Sequence, residues 1–120
     1  MNIESVKTLF ELFSGESADN FIPLVRLAVD ETEKMLLPDA DASDIRLEFL
    51  AAAVANHRFR RIMCTRDRTQ STYAGKMPDL RYSSVSGSEK LLRDYLTLCK
   101  KLIKPQTFAF AAFSGKEEIC

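Results

Sequence analysis

Ile45-Arg46-Leu47-Glu48-Phe49-Leu50-Ala51-Ala52-Ala53-Val54-Ala55-Asn56-His57-Arg58 is the stretch that decides the fold. On a helix turning 100° per residue, Ile45, Phe49, Ala52, Phe59 and Met63 share one face, and Leu47, Leu50 and Val54 share the opposite one. A helix that is apolar on two sides sits between neighbours rather than on the surface. The run from Ala51 to Ala55 fits that place, because small side chains let another helix come close and alanine is the best helix former. The reading is a long central helix over 43–66. Ser43 is a plausible cap, and Asp44 complements the positive helix start.

Toward the N-terminus the pattern predicts two shorter helices. Ile3, Val6, Leu9, Phe10, Leu12 and Phe13 form a wide apolar stripe over residues 3–13, and Ser14-Gly15 supplies the stop. A second helix is predicted over 20–37, capped by Asp19 or Asn20, with Pro23 in a first turn where its missing N–H is harmless. Phe21, Val25, Ala28, Thr32 and Met35 lie along one stripe, and Arg26, Asp30, Glu33 and Lys34 lie opposite. Pro38 ends it.

Toward the C-terminus the helical rhythm breaks. Serine, threonine, glycine and Pro78 predict a long loop over 67–87, with a short strand over 80–85 inside it. Ser86 and Glu89 have capping-box spacing and would open a last helix ending at Pro105. Its apolar face is Leu91, Leu92, Tyr95, Leu98, Cys99 and Leu102. The alternation of Phe108, Phe110 and Phe113 with alanine reads as a strand over 107–113. Such a strand would pair with 80–85, lie on the helices or add to a neighbouring molecule. The expected fold is therefore all-α. It has about four main helices around a long central one, a long loop and at most one short pair of strands, in a single domain over 1–113 with a mobile tail at 114–120.

The chain has 120 residues, 46% hydrophobic and 28% charged, which suits one globular domain. It lacks an apolar run long enough to span a bilayer and a signal-peptide pattern, so the expected setting is the cytoplasm, away from membranes. Three cysteines at wide spacing build no disulfide framework. The net charge is zero, yet residues 1–56 hold 11 acids and 4 bases, whereas residues 57–105 hold 12 bases and 4 acids. Two explanations stay open: the halves pack on each other, or copies associate head to tail, acidic surface to basic.

Catalytic machinery is not evident. The single histidine, His57, has no partner at metal-ligand spacing and sits among arginines that repel a cation. Asp39, Asp41 and Asp44 follow no Ca²⁺-loop pattern, and there is no phosphate-binding glycine loop or nucleophile elbow. No metal or cofactor is expected. The strongest functional candidates are Arg58, Arg60, Arg61, Arg66 and Arg68. The first three point in different directions around a helix, which speaks against a single phosphate-tracking stripe. Nucleic-acid contact, ion pairing within or between subunits, and a solvated face all remain open for them.

The Ala-rich stretch 45–55, the polar segment Gly75-Lys76-Met77-Pro78-Asp79-Leu80-Arg81-Tyr82-Ser83-Ser84 and the Leu-rich helix from Leu91 to Ile103 come in a suggestive order. Over residues 19–104 the chain resembles the small head–tail connector (adaptor) proteins of tailed bacteriophages and prophages. The resemblance implies a structural subunit that assembles as a ring between portal and tail components. It implies no catalysis and no cofactor, and a path from the bacterial cytoplasm into the virion. Tyr82 and the three phenylalanines of 107–113 join the arginines as candidate interface residues. The alternative is a small helical nucleic-acid-binding or regulatory domain built on the segment from Arg58 to Arg68.

Overall fold

The computed structural model describes the backbone of residues 1–70 and 78–104, and side chains over 1–66 and 85–104. Four α-helices follow one another: α1 (Ile3–Ser14), α2 (Ile22–Met35), α3 (Ile45–Gln70) and α4 (Pro78–Leu98). A 3-10 turn, Ala18–Phe21, leads into α2. The fold is all-α, and α3 is the central helix, packed by α1, α2 and α4.

The ends of the helices follow from local chemistry. Asn2 caps α1 by accepting from the Glu4 N–H at 2.9 Å. Gly15, at φ 77°, ends it, donating its N–H to the Glu11 carbonyl at 2.9 Å. Pro23 lies in the first turn of α2. Asp44, rather than Ser43, holds the start of α3. Its carboxylate accepts from the Arg46 N–H at 2.9 Å and from the Arg46 guanidinium at 2.7 and 3.0 Å. Those bonds hold its pKa down at about 2. The Ser43 hydroxyl turns back to Asp41 instead.

The core is built on α3. Leu47, Leu50 and every residue from Ala51 to Ala55 are buried. Two groups of aromatic rings bind the other helices to it. Phe10, Phe21 and Phe59 meet with centroids 5.0–5.9 Å apart, and Phe13, Phe49 and Tyr95 with centroids 5.4–6.3 Å apart. These are tilted, edge-on and offset contacts within the range in which aromatic pairs attract. Cys99 is buried and its thiol donates to the Arg46 carbonyl at 3.3 Å, joining the far end of α4 to the start of α3. Burial raises that thiol to about 11, which makes it unreactive.

Several expectations are corrected. The stretch 67–87 is not one long loop: α3 continues to Gln70, and α4 begins at Pro78. Residues 80–85 are helical, not a strand, and Ser86 lies inside α4 rather than capping it. The physical reason is tertiary. Pro78 suits a first helical position, and Val85 and Ser88 are buried on the inner side of α4, so packing overrides weak local propensity. From Pro78 onward, the polar segment that carried part of the family resemblance is thus helix. Residues 20–37 divide into the 3-10 turn and a shorter α2, and α4 stops at Leu98, before Pro105. The one β-type pairing among the described residues is an isolated antiparallel bridge, Leu36 to Ile103. Residues 107–113 and the tail 114–120 lie outside the described residues. Three apolar side chains expected on buried stripes are exposed, Leu12 at 71%, Ile45 at 63% and Leu98 at 49%.

Candidate functional site

The second half of α3 differs from the first in composition and in what surrounds it. The helical register sends its arginines to different neighbours. Arg58 faces α2, where its Nη2 lies 2.9 Å from each carboxylate oxygen of Glu31. Arg60 reaches α1, donating to the Ser14 carbonyl at 3.1 Å. That places a cation on a carbonyl left unpaired at a helix C-terminus, a favourable arrangement. Arg58 and Arg60 are therefore engaged inside the fold.

Between α2 and α3 lies a cleft of about 380 Å³, lined by Leu24, Leu27, His57, Arg58, Arg61 and Ile62. A second hollow of about 330 Å³, lined by Arg61, Ile62, Thr65 and Arg66, continues it along α3. The two share Arg61 and Ile62 and make one trough. Leu27 and Ile62 form apolar rims, 44% and 49% exposed. The trough therefore combines greasy walls with guanidinium groups, a surface suited to a partner that is both apolar and acidic.

His57 is 3% exposed and belongs to this site. Its Nδ1 is 2.8 Å from the Ser88 hydroxyl, which itself donates to the Val85 carbonyl at 2.9 Å. A hydroxyl has one proton to give, so Ser88 accepts from His57 and the imidazole carries its hydrogen on Nδ1. Nε2 keeps the lone pair. Burial, reinforced by Arg61, pushes the pKa down to about 4, so the ring is neutral at physiological pH. Among the described residues no group of three His, Cys, Asp or Glu side chains could hold a metal ion. No helix of the described residues is long and apolar enough to cross a membrane.

Of the residues singled out in the sequence, Arg61 and Arg66 line the trough, Arg58 stands on its wall, and Arg60 points elsewhere. Arg68 falls on α3 and Tyr82 on α4 by backbone position. Phe108, Phe110 and Phe113 lie outside the described residues. The reading of the sequence missed Leu24, Leu27 and Ile62, and the pairing of Arg58 with Glu31. A signal was there: Leu24 and Leu27, three apart on α2, lie off the stripe of Val25, Ala28, Thr32 and Met35. Neither a family model, nor a curated protein, nor a solved structure matches this chain.

Proposed function

We propose that this chain is a non-catalytic structural subunit of a phage or prophage head–tail junction, assembling as a ring between portal and tail components. The observation that supports the reading most is the open trough on the central helix, where apolar rims and arginines together suit a protein surface. The charge division of the chain agrees with it, since a subunit acidic in one half and basic in the other favours contact between unlike faces, and such contacts close into rings when the rotation allows. The nucleic-acid reading is weaker, because Arg58 and Arg60 are committed to Glu31 and to the end of α1. The test is deletion of the gene from a lysogen that carries it, followed by electron microscopy of the induced lysate. The expected result is filled heads and free tails that remain unjoined. Normal tailed particles would overturn the proposal.

A further inference from the structure

We infer that the trough between α2 and α3 receives the acidic outer stripe of α1 from a second copy of this chain, with Leu12 as the inserted side chain. The inference rests on the assembly reading above and gives it a pair of surfaces. Leu12 is exposed over 71% of its area. Glu11 and Glu16 flank it, and Glu4 lies two turns back along the same side. The one base on α1, Lys7, is drawn to Glu4 at 3.5 Å. The Glu11 carboxylate also accepts from the Ala18 N–H at 2.8 Å, so the stripe is an apolar knob on an acidic stretch of α1.

The trough is its counterpart in both respects. Leu24, Leu27 and Ile62 supply the apolar walls, and Arg61 and Arg66 supply the positive charge. Arg58, on its wall, is already paired with Glu31 of α2. Among the described residues, the other exposed apolar side chains outside the trough make no such match. Ile45 and Leu98 sit at helix ends, Ile45 beside the Asp44–Arg46 pair whose charges already satisfy each other. Knob and trough belong to different faces of one molecule, so their union is heterologous and can repeat from copy to copy. Charge complementarity would set the orientation, and burial of Leu12 would supply the attraction.

Sedimentation equilibrium of the full chain tests this, using wild type, Leu12→Asp and Ile62→Asp. Both positions are solvent-exposed, and matching thermal melts establish that each variant folds. The wild-type average mass should climb with concentration, and less steeply as salt rises from about 0.05 to about 0.5 M. Each variant alone should stay monomeric, its dissociation constant raised more than about tenfold. An equal mixture of the two should form a 1:1 dimer and stop there, because one variant keeps a sound trough and the other a sound knob. Wild type that remains monomeric throughout overturns the inference, and the particle phenotype then judges the assembly reading by itself. Wild type that assembles with both variants unaffected, or variants that fail to pair when mixed, overturns these surfaces while leaving assembly standing.

Discussion

The two halves of α3 make different uses of the same helical geometry. From Leu47 to Ala55 every side chain except Glu48 and Phe49 is buried, the chemistry is hydrocarbon, and neighbouring helices come close over alanines. From His57 to Arg66 the helix buries an imidazole, forms an ion pair, caps another helix and borders an open trough. The first half needs shape alone. The second half must satisfy each polar group it buries, and it leaves apolar rims uncovered beside those groups. Packing stability resides in the one, and the surface proposed for recognition lies on the other.

Three measurements would break or sharpen that contrast. Leu50→Ala, in the fully buried half, should lower the unfolding free energy by about 3 kcal/mol in a denaturant titration, the cost of lost burial plus a cavity. A loss well under 1 kcal/mol would mean that the first half is not tightly packed. Arg58→Met should cost about 1.5 kcal/mol, because Glu31 is then left half-buried without its partner. Converting Glu31 to Met as well should restore most of that loss. Strictly additive effects would show that the pair is not coupled.

The third measurement is the dependence on pH. Folding lowers the His57 pKa from 6.5 to about 4, so between these values the unfolded chain binds a proton that the folded chain refuses. The contribution is complete above about 6.5 and is lost progressively as the pH falls toward 4. Asp44, held at about 2 instead of 3.8, acts only below that interval. Thermal melts of wild type should therefore decline from pH 6.5 to 4, and His57→Gln should remove most of the slope. An unchanged slope in that variant would place the titrating group elsewhere.

Much of the fold was legible because core faces repeat with the helical period. The stripe Val25, Ala28, Thr32 and Met35 is buried as its spacing demands, and the two-sided pattern of α3 called correctly for flanking helices. The first part of α4 was illegible because Ser83, Ser84, Ser86 and Gly87 are poor helix formers, and what holds them helical is distant in sequence. Val85 packs inward, and Ser88 meets His57 some thirty residues away. Leu12, Ile45 and Leu98 were misplaced for a related reason: periodicity shows which residues are apolar, but not where a neighbouring helix stops covering them. The trough was only partly legible. Its arginines stood out as a run, whereas its walls depend on which faces of α2 and α3 meet.

The bridge between Leu36 and Ile103 carries one more consequence. The Leu37 N–H donates to the Leu102 carbonyl at 3.0 Å and the Lys104 N–H to the Met35 carbonyl at 2.7 Å, fastening the end of α2 to residues that follow α4. During translation, α1, α2 and most of α3 leave the ribosome before this fastening can form. The nascent chain must therefore leave the end of α2 unfastened until residue 104 emerges, and these last native contacts close across nearly seventy positions at once.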